Sequence, residues 1–183
     1  MANTYTQLYV QFVFAVQNRV SLIQPEWENE LYKYITGVAK NNGHKMIAIN
    51  GIPDHLHIFI GLHTTQSIAD LMQMIKGDSS EWINTKQFVK GNFRWQEGYG
   101  AFSYARCQLD QIYRYVMNQK IHHQKKSFLD EYVQLLEEFG VAYDSRYIFK
   151  AIEWEIIRPR QGGSFVENVL KTCEQCWRNV CKK

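Results

Sequence analysis

The sequence predicts an α+β sandwich: a mainly antiparallel sheet with helices packed on one face. Three observations carry this. Leu8 to Val16 alternates as one long strand, apolar enough on both faces to be central. The runs Lys45 to Asn50 and His55 to Ile60 are separated only by a turn through Gly51, Ile52, Pro53 and Asp54, which is too short for a crossover. The elements then follow in the order β-α-β-β-α-β-α, with no repeat and no low-complexity linker.

Each element has a local reason. Pro25 suits a first helical position, and Trp27, Leu31, Ile35, Val38 and Ala39 follow at helical spacing until Gly43. Lys45 to Asn50 is a short β-branched and apolar run. In the strand after the turn, His55, His57 and Phe59 share one face, while Leu56, Ile58 and Ile60 share the other. Ser67 with Asp70 three residues on opens a second helix, whose apolar face is Ile68, Leu71, Met72 and Ile75. Gly77 weakens that helix, and Trp82 and Ile83 continue it. Phe88 to Tyr104, rich in aromatics and glycine, holds a loop and one more strand. A third helix is expected from about Gln108 to about His123, packed through Leu109, Ile112, Tyr113, Val116 and Lys120. Ser127 and Asp130 open a fourth, with Phe128, Tyr132, Leu135, Leu136 and Phe139 packed and Gly140 as its stop. Further on, Ile152 to Ile157 reads as a strand and Phe165 to Val180 as helical.

The totals bound the function. At 183 residues, with 45% hydrophobic and 21% charged content, the chain suits one globular domain with a substantial core. A net charge of +3 permits a nucleic-acid partner without demanding one. No apolar run is long enough for a membrane span and no signal-peptide layout is present, so a cytoplasmic protein without a membrane partner is expected. The four cysteines fit free thiols there; Cys173-x-x-Cys176 with Cys181 lacks the second pair that a zinc site needs.

Two neighbouring imidazoles on a strand are two-thirds of a small metal site. The third helix offers a further ligand, because Tyr115 and Gln119 are four residues apart and lie on one helical face at the edge of the packed stripe. An amide oxygen can bind a hard cation. A phenol can be a nucleophile, but its ordinary pKa of about 10 means that it needs help. A cation held by His55, His57 and Gln119, with Tyr115 beside it, suits in-line attack on a phosphodiester. The product, a phosphotyrosine link, conserves the energy of the broken bond for rejoining. His122 and His123 read first as a solvated helix end, with proton donors near the phosphate as the alternative. Asp54 fits both a turn residue and a group that orients a ligand histidine.

The block Pro53-Asp54-His55-Leu56-His57 resembles the histidine-hydrophobe-histidine (HUH) motif of single-strand DNA nucleases. Tyr115-x-x-x-Gln119 resembles the helix of the single-tyrosine transposases of the insertion-sequence-200 type and their repeat-associated relatives. Tyr5 to Arg19, Lys76-Gly77-Asp78-Ser79-Ser80, Trp95-Gln96-Glu97-Gly98-Tyr99, Asn118 to His123 and Tyr143-Asp144-Ser145-Arg146-Tyr147 extend the likeness over roughly residues 3 to 149.

The resemblance implies a ferredoxin- or RRM-like HUH sandwich over residues 1–150. It implies a DNA strand transferase that cleaves and rejoins single-stranded DNA with hairpin ends, using Mg2+ or Mn2+ and acting as a homodimer. His55, His57 and Gln119 would be ligands, and Tyr115 the nucleophile that takes the 5′ phosphate and releases a 3′ hydroxyl. The tyrosine helix would serve the histidines of its own chain or of a partner. Lys76 is a candidate DNA contact by the same likeness; Arg94 and Arg106 are candidates as cations near Trp95, Tyr99 and Phe102, on which bases can stack. Residues 151–183 fall outside the likeness as a C-terminal extension of unknown role. Two rivals remain: a non-catalytic RRM-like nucleic-acid-binding module, and a metal phosphodiesterase that uses water as its nucleophile.

Overall fold

The computed structural model describes residues 5–144 and residue 148. Four strands, β1 (Leu8–Ala15), β2 (Lys45–Ile52), β3 (His55–Leu62) and β4 (Gly100–Tyr104), form one sheet in the order β2-β3-β1-β4. Every neighbouring pair is antiparallel. The expected fold class holds, and β1 is central as its two-sided apolar pattern requires. The expected strand over Ile152 to Ile157 and helix over Phe165 to Val180 lie outside the described residues.

Helix α1 (Pro25–Asn41) has Pro25 at its first turn. Helix α2 (Ile68–Lys86) is capped by the Ser67 hydroxyl, which accepts from the Asp70 amide. It runs through Gly77 without a break. Both helices pack on the side of the sheet formed by Val10, Phe12, Phe14, Leu56, Ile58 and Ile60. Trp27, Leu31, Ile35, Leu71, Met72, Ile75 and Ile83 complete this core, which Trp95 and Phe93 close at one end.

The second side is also covered. Helices α3 (Leu109–Met117), α4 (Gln119–His122) and α5 (Phe128–Glu138) follow β4. Ile112, Tyr115, Val116, Phe128, Tyr132, Leu135 and Leu136 pack there on Val13, Ala15, Phe59 and Phe102. Expecting helices on one face therefore accounts for α1 and α2 only. The single helix expected from Gln108 to His123 divides at Asn118, whose backbone leaves helical geometry (φ −97°, ψ 14°). Asparagine is a weak helix former, because its side chain competes for backbone hydrogen bonds. Helix α5 is capped by Ser127 as expected.

The turn before β3 is held tightly. The Val16 amide donates to the Asp54 carbonyl (2.7 Å), and the Ile23 amide donates to the Pro53 carbonyl (2.9 Å). Gly51 allows this hairpin to close: a Cβ there would lie 2.2 Å from the His55 carbonyl oxygen. That neighbour is backbone and cannot give way, so Gly51→Ala is expected to destabilise the fold by about 1–3 kcal/mol. Urea unfolding of the variant measures this, and a change of only a few tenths of a kcal/mol would contradict it.

Candidate active site

Strand register assembles the site. On β3, His55 and His57 face the α3–α5 layer together with Phe59, as their alternation predicts. Ala15 lies opposite His55 and Val13 opposite His57 on β1. On β2, Asn50 lies opposite His57 and donates from its amide to the Met117 carbonyl at the end of α3 (2.7 Å). That bond ties β2, the neighbour of the histidine strand, to the helix bearing Tyr115. Both histidines are fully buried, as is Gln119.

Each histidine is oriented from behind. His55 Nδ1 lies 2.7 Å from Asp54 Oδ1. Asp54 Oδ2 accepts from Arg19 through Nη2 (2.6 Å) and Nε (3.1 Å). Arg19 is 1% exposed and lies 4.7 Å over the Phe128 ring. Its backbone has φ +55°, beside Asn18 at φ +56°. Two successive left-handed residues without glycine persist only where the surroundings fix them, and this buried ion pair does so. Asp54 thus both shapes the turn and orients a histidine, which joins the two readings the sequence left open.

Burial works against ionisation of Asp54, but the hydrogen bond from His55 and the charge of Arg19 outweigh it and hold the carboxyl at about 2. A carboxylate below its ordinary value of 3.8 favours the fold wherever the unfolded chain would be more protonated. Its contribution is fully present above about pH 4 and is lost as pH falls toward 2. Wild type is expected to lose about 2 kcal/mol more stability between pH 5 and pH 2 than Asp54→Asn does. Parallel urea curves for the two proteins would remove the basis for this.

His57 Nδ1 lies 3.0 Å from the Gln11 amide nitrogen, and Gln11 Oε1 accepts from the Tyr104 hydroxyl (2.9 Å). Turning the Gln11 amide end for end keeps both contacts and lets His57 carry its proton on Nδ1 instead. The Nε2 atoms of His55 and His57 both face the helix layer. There they meet Glu131 of α5, which is 3% exposed, and His123, which follows α4. Glu131 Oε2 lies 3.4 Å from His57 Nε2 and 3.0 Å from His123 Nε2. Glu131 Oε1 accepts from the Tyr115 hydroxyl and from Gln119 Nε2 (3.2 Å).

One potential ligand atom from each of His55, His57, His123 and Glu131 falls within a 4.8 Å cluster. His57 Nε2, Gln119 Oε1 and Glu131 Oε2 are buried there without a hydrogen-bond partner. Buried polar atoms are ordinarily satisfied. The orphaned atoms of His57 and Glu131 within that cluster fit a bound cation, so the residues present suit a divalent metal. Burial lowers the proton affinity of His55, and it takes His122 down to about 4 and His123 to about 2. Neutral imidazoles are the form that binds metal.

Tyr115, Gln119, His55 and His57 are thus brought together within one chain. Some expectations are revised. Tyr113 was expected in the core, yet it is 45% exposed while Tyr115 is 8% exposed. The buried stripe of α3 is Ile112, Tyr115 and Val116, continued by Gln119. Lys120 is not packed but exposed, paired with Glu28. His122 and His123 are not a solvated helix end: their rings stand 5.5 Å from Tyr115 and 4.5 Å from His55, respectively. Glu131 was missed, although an acid three residues after Phe128 and four before Leu135 sits on an apolar stripe and is a visible signal. Cys107 is disulfide-bonded, so it is not the free thiol expected.

Of the three candidate DNA cations, Lys76 lies apart from this cluster. Lys76 projects from α2, on the other side of the sheet, and donates to the carbonyls of Gln96 (2.7 Å) and Gly98 (2.8 Å). It fastens the Trp95–Tyr99 loop, and its burial lowers its pKa. Arg94 and Arg106 are exposed, at either end of the segment that contains β4.

Known proteins resemble this chain in sequence and in fold. A family model described as "Transposase IS200 like" matches residues 4–119. The ISDra2 transposase TnpA of Deinococcus radiodurans is 24% identical over 118 residues, spanning 62% of this chain and 84% of that protein. A crystal structure of a Deinococcus radiodurans R1 protein assigned as a transposase superposes with TM-score 0.52 at 22% identity, covering 65% of this chain and 95% of that one. A repeat-associated (REP) tyrosine transposase bound to a REP hairpin gives TM-score 0.52 at 16% identity, covering 67% and 73%. At such identities the two structures speak for the fold. The family model, matched across well over half the chain, shows that this protein belongs to the IS200-like transposase family.

Proposed function

We propose that this transposase cleaves and rejoins single-stranded DNA through a covalent tyrosine intermediate formed at Tyr115. The observation that carries the reading is the meeting of the Tyr115 hydroxyl with Glu131, against the orphaned atoms of His57 and Gln119. His55, His57 and Gln119 would hold Mg2+ or Mn2+. When bound, such an ion supplies Lewis-acid polarisation of a phosphodiester and neutralises charge at the leaving oxygen.

The chain's own groups do the rest. The Tyr115 hydroxyl already donates to Glu131 Oε1, so its proton has an acceptor as the phenol oxygen attacks phosphorus. The bond from phosphorus to the 3′ oxygen breaks, that oxygen takes a proton from water, and a 5′-phosphotyrosine and a free 3′ hydroxyl result. Rejoining reverses the step: a 3′ hydroxyl attacks the phosphotyrosine and gives its proton back to water, the bond from phosphorus to the tyrosine oxygen breaks, and the proton on Glu131 returns to Tyr115. Gln119, bonded to the same carboxylate, holds that acceptor in place. DNA with hairpin ends is the substrate in this reading, because the REP tyrosine transposase of similar fold was solved with a hairpin. Action as a homodimer in the cytoplasm, with residues 1–150 as the catalytic domain and 151–183 as an addition to it, belongs to the same proposal. Among the described residues no helix is long and apolar enough to cross a membrane.

The test is direct. Protein incubated with hairpin-bearing single-stranded DNA and Mn2+, then denatured, is expected to retain labelled DNA at its own mass plus that of the 5′-linked strand. Absence of any such adduct on DNA from the ends of its own element would overturn the proposal.

A further inference from the structure

The hydrogen bonds behind His55 and His123 fix which of their ring atoms are free. His55 Nδ1 faces the ionised Asp54, a pure acceptor, so Nδ1 carries the proton and Nε2 a lone pair. His123 Nδ1 lies 3.0 Å from the Lys126 carbonyl, again a pure acceptor, so its Nε2 also carries a lone pair. These two Nε2 atoms stand 2.9 Å apart. In these tautomers two lone pairs face each other across that gap, and a cation seated among the four clustered donors relieves that contact. His57 Nε2 and Glu131 Oε2 are orphaned beside them. Glu131 Oε2 is the oxygen turned away from Tyr115 and Gln119, 3.0 Å from His123 Nε2.

We propose that His123 and Glu131 complete the cation site begun by His55 and His57. The resulting pocket of three imidazoles and one carboxylate selects a nitrogen-preferring divalent ion of the cobalt-to-zinc kind over magnesium. This rests on the preceding reading only in that a cation binds at His55 and His57, and it replaces the magnesium of that reading with a later first-row ion and adds His123 and Glu131 to its ligands. Magnesium favours six oxygen ligands and gives up its waters reluctantly, so three buried nitrogens suit it poorly. Imidazole favours the later first-row ions. The carboxylate supplies the only negative charge of the donor set, since Asp54 is committed to Arg19 and His55. His123 and Glu131 lie on either side of the turn that joins α4 to α5, so the site also fastens α5 to the histidine strand.

The test uses the full chain stripped of metal with a chelator. Calorimetric titration is expected to show Co2+ binding at least about a hundredfold tighter than Mg2+. His123→Ala and Glu131→Gln should each weaken Co2+ by about tenfold or more and alter its visible absorption spectrum. His63→Ala, on an exposed histidine bonded to Thr65, should change neither. Should either variant fail to fold, pulsed paramagnetic resonance of Cu2+ in the wild-type protein counts its coupled imidazoles directly, and three are expected. A count of two, or folded variants with wild-type Co2+ affinity, overturns the inference. Absence of a DNA adduct alongside a count of three would overturn only the transposition mechanism.

Discussion

Tyr115→Phe is expected to abolish the covalent protein–DNA adduct and to lower strand cleavage on the order of a thousandfold or more. The variant keeps the ring that packs with Ile112 and Val116, and loses only the oxygen that donates to Glu131. Its stability should fall by about 1 kcal/mol, the net worth of an ordinary hydrogen bond. Hairpin binding, measured by gel shift, should be unchanged. The same variant separates the rivals. An enzyme that uses water as its nucleophile would go on cutting without Tyr115, and a non-catalytic module would show no cleavage in either protein. Tyr113→Phe is the matched control, since that side chain points to solvent. Equal loss of cleavage in both variants would mean that Tyr115 is not the nucleophile.

Arg19→Ala is expected to cost about 3–5 kcal/mol of stability, the largest single loss we foresee. It strands the Asp54 carboxylate in a site only 4% exposed and removes the cation over Phe128. It also releases the left-handed backbone at Asn18 and Arg19 that the ion pair fixes. Arg19→Lys should recover little, because an ammonium cannot make the paired Nε and Nη2 contacts or lie flat on the ring. Urea midpoints for the three proteins test this; a loss under about 1 kcal/mol for Arg19→Ala would mean that the pair is worth no more than a surface one.

Residues with a strong local signature were legible in the sequence. The period of two on β3 placed His55 and His57 on one face and Leu56 and Ile58 on the other. Ser67, Ser127 and Pro25 marked helix starts through chemistry confined to one turn. What escaped is polar and long-range. The stripe on α3 was centred one step away from its true position, because an apolar pattern cannot foresee a buried phenol and amide whose partner is a carboxylate on another helix. His123 and Glu131 were lost for the same reason: each is acceptable inside only because the others are there. The Arg19–Asp54 pair spans 35 residues, and a lone arginine after a strand gives no hint of where its partner lies. The second helical layer was hidden because β1 and β3 are apolar on both faces, which a buried sheet and a covered edge produce alike.

The two cores on either side of the sheet are chemically unlike, and that difference bears on how such a protein ages. The core on the α1–α2 side is apolar and contains neither the candidate ligands nor Tyr115. The side bearing His57, Gln119 and Tyr115 is where the buried polar groups of the candidate site gather. On the proposed reading, drift at His57 or Gln119 would silence the chemistry and leave Phe12, Phe14, Leu31 and Ile58 packed as before. A copy of this gene released from selection for mobility would therefore fall quiet long before it fell apart. A folded, expressed member of the family is no proof of a working one.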